Sequence, residues 1–381
     1  MFRRTSFRVL LLLSFLVSGL SAAAPPQAAP PAPVSTARIR LFRIQSDLLT
    51  ASWGRPMFLE AGVVLPPGHD PEKNQPVCYI VHGFGGSHRS AWSRGPAMLE
   101  GMQAGTIPSM LYVFLNASCP RGHHEFADSS NNGPVGEALV TEFIPALEAK
   151  FGGPENADGR FLTGHSSGGW STLWLQITYP RTFGGTWSTA PDPVDFRDFT
   201  GVNIYSDRNA YVDSHGDPVM MVRRNGEWIM SLKGFVEREL ARQPFGGQYS
   251  SFDAVFSPRA PDGRPMPLFD RDDGAIDSAV AQAWKKYDIA LVLKKNWPRL
   301  RSLLQGKIHV WVGTLDTFRL EGAVALLQRE MVRLGSDAEF LFVPGRDHGT
   351  LFAPHPDYWP DGMPARIYRE MWARWEHPGV R

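Results

Sequence analysis

A serine flanked by glycines lies in the stretch of this chain with the clearest chemical potential. Residues 160–169 read Arg-Phe-Leu-Thr-Gly-His-Ser-Ser-Gly-Gly, a short apolar segment that runs into Gly-x-Ser-x-Gly. This pattern is typical of a nucleophile elbow, a sharp strand-to-helix turn that holds a serine Oγ clear of the sheet edge. Small residues are needed on both sides, because the flanking turns press together. Ser166 is therefore the candidate nucleophile.

A serine nucleophile needs a base that takes its proton and an acid that orients the base. Both groups occur downstream of Ser166, each just after a predicted strand. The strand at 308–312 is followed by Gly-Thr-Leu-Asp, which ends in Asp316, and the strand at 339–343 is followed by Pro-Gly-Arg-Asp-His-Gly, which contains His348. The order serine, acid, histidine matches the known order for a nucleophile elbow. We predict that Asp316 and His348 lie beside Ser166.

Other residues compete for these two roles among the eleven histidines of the chain. His355 is the main alternative base, although its Ala-Pro-His-Pro setting is less closely tied to a strand end. His165 adjoins the serine but is expected to point away from it. Three histidines precede the serine and reverse the expected order: His82, His123 and His124. Asp347 is covalently next to His348 and cannot easily reach the Nδ1 atom of its neighbour.

An oxyanion hole needs two backbone N–H groups aimed at the developing negative charge. One is expected from Ser167, the residue after the nucleophile. The other is expected from the loop at 82–86, His-Gly-Phe-Gly-Gly, which follows a predicted strand at 77–81. We predict that Phe84 supplies this second donor, with Gly85 as the alternative.

The elements around these residues alternate between strand and helix. Short and almost wholly apolar segments predict strands at 77–81, 110–116, 161–163, 184–188, 308–312 and 339–343. Helical patterns separate them, which predicts a parallel sheet buried on both faces. Two segments with alternating apolar residues, 39–44 and 58–65, are predicted to be antiparallel edge strands.

The alternation is interrupted between about residues 192 and 306, where Pro, Gly, Asp and aromatic residues are frequent. Asn225-Gly226 lies inside this insertion and predicts a hairpin turn. We expect the insertion to form a cap over the carboxyl edge of the sheet, where ligands bind in such folds. The alternative is an excursion packed elsewhere. The predicted organisation is one domain over residues 38–381 with this cap-like insertion.

The amino-terminal residues have the pattern of a secretory signal. Residues 1–23 combine two arginines, an apolar run and a small-residue cleavage site, and residues 24–37 form a Pro/Ala-rich spacer. The apolar run is too short for a permanent membrane span, although a retained anchor is the alternative. Thirty-nine basic against 38 acidic residues leave no basic face for nucleic acid. We expect a periplasmic or extracellular protein without a permanent membrane span in the mature chain.

Taken together, the signal segment and four motifs resemble the putative-esterase family of α/β-hydrolases. The motifs are His-Gly-Phe-Gly-Gly, Gly-His-Ser-Ser-Gly-Gly, Gly-Thr-Leu-Asp and Gly-Arg-Asp-His-Gly. That family includes esterase D, feruloyl esterases, enterochelin esterases and mycolyltransferases, and the similarity covers most of residues 38–375. The resemblance implies an α/β-hydrolase fold, with a mostly parallel central sheet, helices on both faces and an inserted cap.

The expected function is that of an exported serine esterase. Ser166 would attack an ester carbonyl, His348 would accept and return the proton, and Asp316 would hold the imidazole. The N–H groups of Ser167 and Phe84 would stabilise the oxyanion, and no metal or organic cofactor is expected. The expected partner is a small-molecule or polymer-attached ester. An acyltransferase, a serine peptidase and a non-catalytic binding protein of the same fold are the alternatives.

Overall fold

The computed structural model describes residues 36–242 and 247–378. The strands of this part of the chain are β1 (Ile39–Gln45), β2 (Phe58–Val64), β3 (Val77–Val81), β4 (Leu111–Leu115), β5 (Ser118–Cys119), β6 (Gly122–His123), β7 (Arg160–His165), β8 (Gly185–Thr189), β9 (Met220–Arg224), β10 (Glu227–Ser231), β11 (Ile308–Gly313) and β12 (Glu339–Val343). The predicted signal at 1–23 lies outside the described residues, as does the spacer up to residue 35.

Helices occupy most of the connections between these strands. They are α1 (Asp47–Trp53), α2 (Ser90–Gln103), α3 (Val135–Ala138), α4 (Ile144–Phe151), α5 (Ser167–Thr178), α6 (Leu232–Arg242), α7 (Gly247–Phe256), α8 (Ser278–Trp284), α9 (Ile289–Leu304), α10 (Leu320–Arg333) and α11 (Met363–Glu376). A π-helical segment, Leu139–Phe143, joins α3 to α4. Within the described residues, none of the helices is both long enough and apolar enough to cross a bilayer.

Eight of the strands form one sheet in the order β1-β2-β4-β3-β7-β8-β11-β12. The pairs β1–β2 and β2–β4 are antiparallel, and all the pairs from β4 onward are parallel. The mostly parallel sheet predicted from the sequence is confirmed, with its antiparallel strands at one edge. Because β3, β7, β8 and β11 are parallel neighbours, the loops that follow them meet at one edge of the sheet.

Both faces of the sheet are covered by apolar side chains. Successive residues of β3 alternate between two hydrophobic clusters, with Cys78 and Ile80 in one and Tyr79 and Val81 in the other. The first cluster also contains residues of α2, α9, α10 and α11, and the second contains residues of α3 and α4. Burial on both faces explains why the central strands are apolar throughout rather than alternating.

The turn between β7 and α5 holds Ser166 in a backbone conformation that is rare for a residue with a side chain. Its φ is 60° and its ψ is −126°. The Ser166 N–H donates to Thr189 O at 3.0 Å, and its carbonyl accepts from Trp170 N at 3.0 Å. A Cβ on Gly164 would collide with the backbone of Gly168. Close backbone contacts and hydrogen bonds therefore hold the turn in this strained conformation, as the nucleophile-elbow pattern predicts.

The insertion at 192–306 contacts the rest of the domain in two ways. Helix α9 packs beside the sheet, where Trp297 Nε1 donates to Leu334 O at 2.7 Å. The hairpin β9–β10 and helix α7 instead reach the carboxyl edge. Arg223 of β9 donates to Asp316 O at 2.8 Å, and Ser251 of α7 accepts from His123 N at 2.8 Å.

The packing at the elbow predicts that Gly168→Ala destabilises the fold. A Cβ at this position would collide with two backbone carbonyls, Val81 O at the end of the buried strand β3 and His82 O directly after it, and backbone atoms cannot move aside cheaply. We expect a loss of about 1–3 kcal/mol in the free energy of unfolding, measured by urea denaturation.

Gly234→Ala is the matched control for this change. Gly234 lies in α6, and a Cβ there would meet nothing closer than 3.4 Å. Replacing a helical glycine without a clash should stabilise by about 0.4–1 kcal/mol. Equal unfolding midpoints for both variants and the parent would contradict the packing argument.

Candidate active site

Asp316 and His348 form a hydrogen-bonded pair at the carboxyl edge of the sheet. His348 Nδ1 lies 2.7 Å from Asp316 Oδ2. Asp316 is fully buried, and its Oδ1 accepts from Phe318 N at 2.9 Å and from Leu320 N at 3.4 Å. The carboxylate is thus fixed by backbone donors on one oxygen and by the imidazole on the other. This arrangement leaves Nε2 of His348 as the ring nitrogen that can exchange a proton.

The surroundings of His348 favour its protonated form. Burial by itself lowers the pKa of His348, but the Asp316 carboxylate at Nδ1 outweighs it, with smaller effects from Asp192 and Asp347, so the pKa is raised above its ordinary value of 6.5. The ring of Phe318 meets the imidazole edge-on at 5.0 Å between centroids. The ring of His165 packs against it at 4.2 Å. His165 thus contacts the candidate base rather than competing with it.

The hydroxyl of Ser166 has a partner that sequence reasoning missed. Ser166 Oγ donates to Asp192 Oδ1 at 3.3 Å. Among the described residues this is the only hydrogen bond of the Ser166 hydroxyl. Asp192 is only 4% exposed and follows β8 along the chain. Its N–H also donates to Ser166 O at 3.2 Å. Within the described residues no hydrogen bond joins this hydroxyl to His348, so the hydroxyl must leave Asp192 before it can donate to that ring.

The other oxygen of Asp192 is also satisfied. Oδ2 accepts from Ser167 Oγ at 2.5 Å and from Gln248 Nε2 at 3.1 Å. Burial, together with the nearby Glu125 carboxyl, raises the pKa of Asp192 to about 7. Gln248 belongs to α7, so the insertion contacts the elbow directly. The insertion has no periodic signal that marks this glutamine, and Asp192 lies in a loop that only the fold brings to the serine.

A second buried carboxyl, that of Glu125, lies near Asp192. Glu125 is 1% exposed, and burial raises its pKa well above the ordinary value. Its Oε2 accepts from Ser171 Oγ at 2.8 Å, and its Oε1 lies 3.3 Å from His123 Nδ1. The segment 122–133, which contains Glu125, therefore contacts helix α5 directly after the elbow.

The loop at 82–86 comes close to the elbow and is held by histidine contacts. A Cβ on Gly83 would lie 3.2 Å from Ser166 Cβ. His82 Nδ1 donates to Gly83 O at 2.8 Å, and its Nε2 accepts from Ala117 N at 2.9 Å. Burial and the neighbouring His123 lower the pKa of His82 to about 4, so the ring is neutral at physiological pH.

The donors predicted for the oxyanion hole belong to two segments of the chain. Ser167 is the first residue of α5, and Phe84 lies in the turn closed by the 3.0 Å bond from Gly86 N to Gly83 O. In the described part of the chain, the N–H of Phe84 has no acceptor and neither has that of Gly85. Both N–H groups are thus available for an oxyanion.

The alternative base His355 lies apart from this arrangement. His355 packs against Tyr358 and accepts from Asp357 N at 3.2 Å, with no contact to Asp316. Over residues 36–242 and 247–378, no group of three or more His, Cys, Asp or Glu side chains is placed to hold a metal ion.

The family comparison matches residues 55–348 to the family described as "Putative esterase". The chain belongs to this family. The class of enzyme predicted from the sequence, a carboxylic ester hydrolase, is confirmed by this match. Comparison with curated protein sequences gives no match.

Solved structures similar to this esterase share its fold at low sequence identity. A ferulic acid esterase has a TM-score of 0.52 and 14% identity, with 87% of this chain and 95% of that chain covered. An S-formylglutathione hydrolase from Agrobacterium tumefaciens has a TM-score of 0.51 and 15% identity, with 90% and 95% covered. The fluorophosphonate-binding serine hydrolase F of Staphylococcus aureus, solved with substrate bound, has a TM-score of 0.52 and 13% identity, with 88% and 97% covered. The predicted α/β-hydrolase fold is confirmed.

The electrostatics of the esterase site predict that Asp316→Asn lowers the pKa of His348. The substitution keeps the shape of the side chain but removes the charge that favours the imidazolium, while the burial that opposes it remains. The measurement is an NMR titration of the His348 imidazole. The control Asp361→Asn, which changes an exposed carboxyl, should leave the pKa of His348 unchanged. A pKa of His348 that is the same in the parent and in both variants would contradict the prediction.

Proposed function

We propose that this chain is an exported serine esterase whose nucleophile is Ser166, with His348 as general base and Asp316 as the acid that orients it. The observation that carries the proposal is the 2.7 Å pair of Asp316 and His348 at the same sheet edge as the strained Ser166 turn. The raised pKa of His348 suits a group that must hold a proton during the reaction and then return it.

The proposed reaction starts when the Ser166 hydroxyl turns from Asp192 towards His348 Nε2. The oxygen attacks the ester carbonyl carbon while Nε2 takes its proton, and the N–H groups of Ser167 and Phe84 stabilise the oxyanion. His348 then gives the proton to the departing alcohol, which leaves an acyl group on Ser166. Water, deprotonated by the same nitrogen, releases the acid and restores the serine.

We also propose that the insertion at 192–306 sets substrate preference rather than chemistry. Its β9 strand holds the loop of the candidate acid through Arg223, and its α7 helix reaches Asp192 through Gln248. Trp228 of β10 is 42% exposed, and the guanidinium groups of Arg223 and Arg319 each lie 5.3 Å from the centroid of its ring. We propose export of the protein on a separate ground, the secretory signal pattern of residues 1–23.

The assignment of the nucleophile predicts that a fluorophosphonate labels Ser166 alone. Ser166→Ala should abolish the label and lower kcat by roughly 10⁵–10⁶, because the triad then has no atom to acylate. The measurements are mass spectrometry of the labelled peptide and hydrolysis of a p-nitrophenyl ester. Ser93→Ala, at an exposed serine of α2 that donates to Ser90 O of the same helix, is the control and should keep both label and activity. Labelling of a different serine would remove Ser166 from its role.

The proposed role of the insertion predicts that Trp228→Ala changes the order of ester substrates. The exposed indole offers apolar area to a bulky substrate but not to a small one, so kcat/KM for an aryl ester should fall several-fold more than that for a small acetate. The matched control is Trp92→Ala, which removes an equally exposed tryptophan, 40% exposed, from α2. The proposal fails if both variants keep the parent's order of substrates.

A further inference from the structure

We infer that this esterase prefers esters whose acyl group carries a hydroxyl or ammonium on the carbon next to the carbonyl, and that Asp192 binds this donor. The inference rests on the proposed function, because it takes Ser166 as the nucleophile. It concerns a residue outside the proposed triad and oxyanion hole.

The hydrogen bonds of Asp192 divide unequally between its two oxygens. Oδ2 has two donors, Ser167 Oγ and Gln248 Nε2, and neither takes part in the bond changes of the reaction. Among the residues that the structure describes, Oδ1 has one donor, the Ser166 hydroxyl at 3.3 Å. The carboxyl is therefore held in place by one oxygen and presents the other to the nucleophile.

Catalysis removes the single donor of Oδ1. Once the Ser166 hydroxyl turns to His348, this oxygen of a side chain that is 4% exposed has no partner within the described protein. A buried acceptor without a donor is unfavourable, so a substrate that supplies one binds better at that moment. A substrate hydroxyl or ammonium at the position vacated by the serine hydroxyl restores the hydrogen bond.

The charges around Asp192 strengthen this preference. Neither Asp192 nor the nearby Glu125 forms an ion pair with a lysine or arginine in the part of the chain that the structure describes. Buried carboxyls are normally paired with a cation or hydrogen-bonded on both oxygens. A protonated amine of the substrate would supply a positive charge as well as the hydrogen bond to Oδ1, and a hydroxyl would supply the hydrogen bond alone.

The geometry places the donor on the acyl part of the substrate. His348 returns its proton to the departing alcohol, so the alcohol lies on the His348 side of the serine oxygen. Asp192 is the partner that this oxygen leaves when it turns to His348. Because Oδ1 lies only 3.3 Å from Oγ in the resting site, a donor must be close to the carbonyl carbon to reach it.

Three phenyl esters of similar size test the inference: propionate, glycolate and glycinate. They share one leaving group and differ in a methyl, a hydroxyl or an ammonium next to the carbonyl. For each ester, kcat/KM of the parent is divided by its rate constant for alkaline hydrolysis, which removes the difference in intrinsic reactivity. We expect the glycolate and glycinate to exceed the propionate by about 10-fold or more, as for a hydrogen bond to a charged group.

The same esters are then measured with Asp192→Ala and Asp192→Asn. In Asp192→Ala both donor esters should lose at least about 10-fold more kcat/KM than the propionate, and in Asp192→Asn the glycinate should lose more than the glycolate. The matched control is Asp195→Asn, which changes another buried carboxyl of the same loop, paired with Arg197 instead of the serine. It should change the three esters by the same factor.

The outcomes separate this inference from the proposed function. Equal corrected rates for the three esters in the parent would overturn the inference, even if no Asp192 variant folds. Equal losses for the three esters in the Asp192 variants would also overturn it and would assign Asp192 a structural role. Hydrolysis of the propionate that survives in Ser166→Ala would instead remove the proposed function itself.

Discussion

The strained backbone of Ser166 is the constraint on which the rest of the site depends. A serine with a φ of 60° persists only because β7, α5 and the loop after β8 fix it from three sides. The closest contacts there are between backbone atoms, so Gly164 and Gly168 cannot accept a side chain. This turn places the hydroxyl at the sheet edge, where the loops that follow β3, β8, β11 and β12 begin.

Three buried carboxyls near this edge have different surroundings and hence different properties. Asp316 is held by backbone N–H groups and by the imidazole, and its proximity raises the pKa of His348. Asp192 is held by hydroxyls and an amide, and Glu125 by a hydroxyl and a neutral histidine. Burial raises the pKa of both, and the Glu125 carboxyl raises that of Asp192 further. The carboxyl that contacts His348 and the carboxyl that contacts Ser166 thus have different electrostatic surroundings.

The candidate site residues that follow strand ends could be predicted from the sequence. Ser166, Asp316 and His348 each come directly after an apolar segment, and parallel strands bring such positions to one edge whatever their separation along the chain. The parallel sheet was predicted from short apolar segments separated by helices, and its antiparallel edge from two segments with alternating apolar residues. Asp192 and Gln248 had no such signal, because their contacts depend on how a long insertion returns to the sheet. His165, set aside as a base, contacts His348 through a side-chain direction that the motif does not encode.

The sequence by itself determined the class of fold and the types of group at the sheet edge, since strand periodicity and glycine spacing are local properties of the chain. The tertiary structure decided which of these groups touch. It selected His348 over His355 as the partner of Asp316, and it placed the Ser166 hydroxyl against Asp192. These outcomes depend on distances of a few ångströms between segments far apart along the chain. Only the packing of both sheet faces and of the insertion fixes such distances.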